Sequence, residues 1–177
     1  IPPDDPISVE IKVTLDGSAD VSRAVSFAPT TYKVKRVPTV DRTDFSNYDW
    51  NEWRNVGADG ALIKEGTNIY WRSISVPNRL PRLSKRYGYF NHISIKTIEI
   101  SCDYRHEFFA NDTVFRVITF PGRATYDSPT FPYSPTWRNM KFTVSGPSIN
   151  GSFSVDVYIQ NLTGNSTSID NIVVTIL

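Results

Sequence analysis

Two histidines and a nearby serine and aspartate are the residues in this chain whose types could support nucleophilic catalysis. His92 and Ser94 lie two positions apart, so on a strand they share a face. Asp103 and His106 follow in the run Asp103-Tyr104-Arg105-His106-Glu107. A serine relay needs the hydroxyl within hydrogen-bond reach of one imidazole nitrogen and a carboxylate on the other. Nothing in the spacing sets Asp103 behind His92, and the chain has no Gly-x-Ser-x-Gly elbow. The expectation is therefore a non-enzymatic domain, with a small esterase-like hydrolase using His92 and Ser94 as an alternative. Metal chemistry fares no better. The single cysteine, Cys102, cannot close a disulfide within the chain, and with two histidines at this spacing it cannot build a structural zinc site. The acidic stretch from Asp41 to Asp49 lacks the ligand spacing and mid-loop glycine of an EF-hand. The 9 glycines never cluster into a phosphate-cradling loop. No cofactor and no metal are expected.

The aromatic residues offer binding chemistry instead. Tyr48, Trp50 and Trp53 stand in a polar stretch, and Tyr126, Phe131 and Tyr133 stand among prolines. Exposed, such rings can stack on sugar faces or anchor a protein interface. Buried, they cap the core. Tyr48, Trp50, Trp53, Tyr126 and Tyr133 are the candidate binding residues. A basic connector, Arg79, Arg82, Lys85 and Arg86, could meet anionic glycans or phosphates, or simply be a solvated loop. The formal net charge is +1, too small to argue for direct nucleic-acid contact. No apolar run approaches the roughly 20 residues that cross a bilayer as a helix. Four Asn-X-Ser/Thr sequons, at Asn111, Asn150, Asn161 and Asn165, could be glycosylated on a secretory route or be ordinary loop chemistry.

These residues must be positioned by strands. The 13% of Phe, Trp and Tyr suits a pleated, half-buried surface. Ile7, Val9, Ile11, Val13 and Leu15 alternate with polar residues and read as a first strand, after a linker over residues 1–6 and at the start of a single domain over 7–177. Residues 38–68 read as a long loop, with Ser46 able to cap one short helix from Tyr48 to Val56. Strands are predicted over Ile69–Val76, Tyr87–Tyr104, Val114–Phe120, from Met140, over Phe153–Ile159 and from Ile172. The apolar face flips between Ile95 and Ile98, which calls for a β-bulge or a sharp bend. The strand containing Phe142 should pair with that of Val155 and Val157, all three facing the core. The predicted fold is all-β: an antiparallel two-sheet β-sandwich, jelly-roll-like, with long loops and at most one short helix.

The run Pro132-Tyr133-Ser134-Pro135-Thr136-Trp137-Arg138-Asn139-Met140-Lys141-Phe142 resembles the aromatic, Trp-Arg, alternating-apolar entry into a core strand of picorna-like capsid proteins, among them the insect iflaviruses. The resemblance implies a virion structural domain, either a jelly-roll shell subunit or a protruding domain for receptor binding and cell attachment. It implies other capsid subunits and a host receptor or glycan as partners, and a place on the virion surface. The adjacent His-Ser pair of some iflavirus protruding domains is not reproduced, because Ile93 separates His92 from Ser94. From the aromatic residues alone, the alternative is a carbohydrate-binding module of a secreted, extracellular protein.

Overall fold

Alternation of apolar and polar residues is the rule that builds this molecule. The computed structural model describes residues 40–57, 59–74, 80–88, 95–107, 113–149, 152–160 and 166–177, apart from the side chains of 96 and 146–149. The expected first strand, the linker over 1–6, the pair His92 and Ser94, Arg79 and all four sequon asparagines lie outside the described residues. Within the unit Pro38–Leu177 the strands are β1 (Val40–Thr43), β2 (Arg54–Val56), β3 (Gly60–Glu65), β4 (Asn68–Ser73), β5 (Arg82–Tyr87) and β6 (Ile95–His106). They continue with β7 (Thr113–Phe120), β8 (Thr125–Asp127), β9 (Arg138–Ile149), β10 (Ser152–Ile159) and β11 (Thr167–Ile176). One sheet of six strands has the order β3-β4-β11-β6-β9, with β1 also paired to β11. The other, of five, runs β2-β5-β10-β7-β8. The predicted all-β antiparallel two-sheet sandwich is the fold observed.

The core lies between the two sheets. On β10, Phe153, Val155 and Val157 are fully buried, matched by Leu83 and Tyr87 on β5 and by Phe115 and Val117 on β7. The opposite sheet contributes Ile98, Ile100, Cys102 and Tyr104 from β6 and Ile169, Ile172 and Val174 from β11. Phe131 wedges between the sheets, its ring centroid 4.9 Å from both Tyr104 and Phe115. Each such side chain contributes about 1.5–3 kcal/mol by leaving water. Burial pushes the Cys102 thiol well above its ordinary pKa, so it packs as a small hydrophobe and is no nucleophile. A polar link also crosses the core. Asp41 on β1 accepts from Tyr87 Oη at 2.7 Å and pairs with Lys85 Nζ at 2.7 Å, both on β5. Asn51 Nδ2 donates to the other carboxylate oxygen at 2.9 Å.

Several expectations are corrected. The helix from Tyr48 to Val56 does not form. A 3-10 turn covers Ser46–Tyr48 and β2 takes Arg54–Val56, because Phe45, Asn47, Tyr48, Asn51 and Glu52 adopt positive φ and break any helical run. The basic connector is largely strand β5. Met140–Val144 pairs with β6, and β10 pairs with β5 and β7, so the two expected partners belong to different sheets. Val155 and Val157 are core as predicted, whereas Phe142 is only half-buried, on a strand whose one neighbour among the described residues is β6. The face flip is observed as a register irregularity between Ile95 and Thr97. A second bulge interrupts β11 between Asp170 and Val173, where Asn171 adopts φ 48°. Before it β11 pairs with β4, and after it with β1.

Candidate functional site

The outward faces of β2, β5, β10 and β7 meet in register. On β5, Leu83, Lys85 and Tyr87 turn inward, so Arg82, Ser84 and Arg86 turn out. Ser84 stands opposite Arg54 on β2 and opposite Asp156 on β10. Arg86 stands opposite Ser154, and Ser154 in turn opposite Ile118 on β7. Together with Glu52, Trp53, Val56 and Phe120 these residues line a cleft of about 870 Å³ across the sheet. Three strand-to-strand steps make it roughly 14 Å wide. The volume falls within the range of ordinary ligand sites.

The floor is polar and ordered. Asp156 is 1% exposed, accepts from Ser84 Oγ at 2.5 Å and lies 3.6 Å from the Arg82 guanidinium. Burial raises the Asp156 pKa, opposed by the Ser84 hydrogen bond and by Arg82 and Arg116. Arg86 donates to Ser152 Oγ at 3.2 Å and lies over the Phe120 ring at 4.7 Å. Beyond Asp156, Arg116 lies over Tyr158 at 4.4 Å and grips Asp127 with two bonds of 2.7 Å; the hydrogen bond to Asp127 is what chiefly raises its pKa. Such a site can offer guanidinium donors, and serine hydroxyls that both donate and accept, to a polyhydroxylated ligand, with Asp156 holding Ser84 and Arg82 from below.

The five candidate aromatic residues are not gathered into one site. Trp53 alone lines the cleft, yet it is 3% exposed and its Nε1 donates to Thr43 Oγ1 at 3.1 Å, so its indole serves the core. Tyr48 is 53% exposed on the 3-10 turn, and Trp50 is half-buried edge-on to Phe45. Tyr126 pairs with inward-facing Val117, which puts it on the side of the sheet away from the cleft. Tyr133 stacks on buried His106 at 6.1 Å. Sequence reasoning missed Arg54, Ser84, Phe120 and Asp156. The alternation Arg82-x-Ser84-x-Arg86 was the signal, obscured by its charge and by Pro81.

Among solved structures, the chain is similar to the CBM22-1 xylan-binding domain of Paenibacillus barcinonensis Xyn10C, at 10% identity and TM-score 0.54, covering 76% of this chain and 92% of that one. It is similar to the CBM22-1 and GH10 modules of Clostridium thermocellum xylanase 10B complexed with xylohexaose, at 11% identity and TM-score 0.55, covering 77% of this chain and 28% of that one. A family 29 carbohydrate-binding module variant complexed with cellulohexaose matches at 14% identity and TM-score 0.51, covering 76% and 89%. No protein-family model matches, and no curated protein sequence matches. At these identities the likeness is one of fold. It overturns the capsid reading, with its virion surface and capsid-subunit partners, since the three sandwiches named are carbohydrate-binding modules and none is a viral capsid protein. The run that suggested a capsid has its own local explanation. Trp137 sits edge-on to Tyr70 at 5.3 Å, with Arg105 over both rings at 5.0 Å, and leads into β9. No described helix is long and apolar enough to cross a membrane.

Proposed function

We propose that the domain is a carbohydrate-binding module that holds a glycan chain in the cleft across β2, β5, β10 and β7, and that it works where polysaccharide is met, outside the cell. The observation that carries this reading is the cleft itself, in which Arg82, Ser84, Arg86, Ser154 and Asp156 converge on one face of the sheet. Sugar hydroxyls both donate and accept, and this floor supplies partners of both kinds. The fold likeness supports the same reading, because the neighbours are a xylan-binding domain and modules complexed with xylohexaose and cellulohexaose. The segment bearing Tyr48 and Trp50 leads directly into β2, so those rings are proposed as secondary contacts for a longer chain.

A glycan array probed with the labelled domain, alongside Ile118→Trp, tests this. Ile118 lines the cleft from β7, and a larger ring there fills it without entering the core. Retention on particular glycans, lost at least tenfold in Ile118→Trp at unchanged melting temperature, is expected. Binding that survives the filled cleft, or no retention on any glycan, overturns the reading.

A further inference from the structure

We infer that the glycan taken by this cleft is an anionic one, bearing carboxylate or sulfate groups that meet Arg54 and Arg86. This rests on the glycan-binding reading of the same cleft and sharpens it to a chemical class.

The charges lining the cleft are Arg54, Arg82 and Arg86 against Glu52 and Asp156. Their arrangement matters more than their sum. Arg82 has Asp156 at 3.6 Å, and Asp156 is sunk in the floor and hydrogen-bonded to Ser84. Neither Arg54 nor Arg86 forms an ion pair with any described residue. The register sets Arg54 opposite Ser84, which makes Arg82 and Arg86 its two diagonal neighbours on one face. Diagonal neighbours on a sheet lie roughly 7–8 Å apart, so three guanidinium stems bracket one serine. Arg54 and Arg86, so grouped, repel each other across Ser84, whereas an anion between them removes the repulsion.

The aromatic surface points the same way. A neutral sugar presents its C–H face to a bare ring. Here Phe120 carries the Arg86 guanidinium at 4.7 Å, Tyr158 carries that of Arg116 at 4.4 Å, and Trp53 is buried. Arg116 spends its fork on Asp127 and Arg86 gives one N–H to Ser152, so the remaining N–H groups of Arg86, over Phe120, are the donors that meet carboxylate or sulfate.

Affinity electrophoresis with matched pairs reads this directly. One pair is polygalacturonate and its carboxyl-reduced neutral form; the other is dextran sulfate and dextran. Xylan and glucomannan serve as further neutral chains. The domain should be retarded by at least one anionic member and at least tenfold less by its neutral counterpart, with retardation falling steeply from 50 to 500 mM NaCl. Preference between the two pairs separates carboxylate from sulfate. Arg54→Ala and Arg86→Ala, both at exposed positions, should each weaken binding about tenfold or more at unchanged melting temperature. Equal or stronger binding to neutral chains overturns the anionic assignment and leaves the glycan cleft standing. Anion binding unaffected by either substitution overturns the assignment of these arginines. No binding to any chain removes both this inference and the function beneath it.

Discussion

Asp41 shows how much one residue can carry. Its carboxylate joins β1 of one sheet to Lys85 and Tyr87 of the other, with Lys85 5% exposed. Lys85→Met keeps the stem and removes the charge, leaving a buried carboxylate without its cation. Unfolding free energy from urea titration should fall by about 3–5 kcal/mol. Burial alone would raise the Asp41 pKa, but Lys85, Tyr87 and Asn51 together bring it below its ordinary 3.8. Its stabilising contribution is therefore full above pH 3.8 and is lost as the pH falls below that through the lowered folded value. Asp156 and Asp170 have raised values, chiefly from burial, so acidification down to the ordinary 3.8 relieves their cost and acts in the opposite sense. The melting temperature of Asp41→Asn should accordingly start lower and fall less below pH 3.8 than that of the wild type. Trp53→Ala should cost about 3–5 kcal/mol in the same titration, as a core residue does. None of this was legible in the sequence. Trp50 and Trp53 look alike there, and what separates them is Thr43, ten residues away, which satisfies the Trp53 indole.

At the scale of elements, strands with clean alternation were legible and those with charge or mixed pattern were not. β7 was expected from a run apolar on both faces, and β10 and the face flip in β6 from their apolar periodicity. β3 was lost inside an expected long loop, because Gly60-Ala61-Leu62-Ile63-Lys64-Glu65 shows no alternation, and its residues are half-buried or exposed on both faces. β5 was read as a connector because Arg82, Lys85 and Arg86 suggest solvent, whereas Lys85 points inward to Asp41. The expected pairing of β9 with β10 failed for a topological reason. Sequence proximity favours a hairpin, yet consecutive strands of a sandwich often cross between sheets. Within β3, Gly60 permits a close approach. A Cβ there would lie 2.4 Å from Trp71 Nε1, and Trp71 is fully buried. Gly60→Ala should therefore force the indole off its seat and lower stability by about 1–3 kcal/mol, measurable as a fall in melting temperature. Gly66→Ala, where nothing stands within 4 Å but φ is +64°, should cost about 0.4–1 kcal/mol or more by backbone strain alone.

For the molecule as a whole, the two-sheet plan was legible, since its many short strands with turns between them admit few other closures. The cleft was not, because it is assembled from four strands whose register no single segment encodes. The bulge at Asn171 has a further consequence, for how the chain comes to be folded during synthesis. β11 stands between β4 and β1 on one side and β6 on the other, changing partner where the bulge interrupts it. Until the ribosome has released Thr167–Ile176, the described strands of the larger sheet are in pieces: β3 with β4, β6 with β9, and β1 without its described partner. Each piece then shows an open edge that other nascent chains can pair with. The smaller sheet, complete once Ile159 has emerged, can form first and carry the cleft. A stalled chain ending before Thr167 should therefore be aggregation-prone and sensitive to protease in β3, β4, β6 and β9, while its five-stranded sheet gains protection earlier, an order that pulsed hydrogen exchange on arrested chains would read out strand by strand.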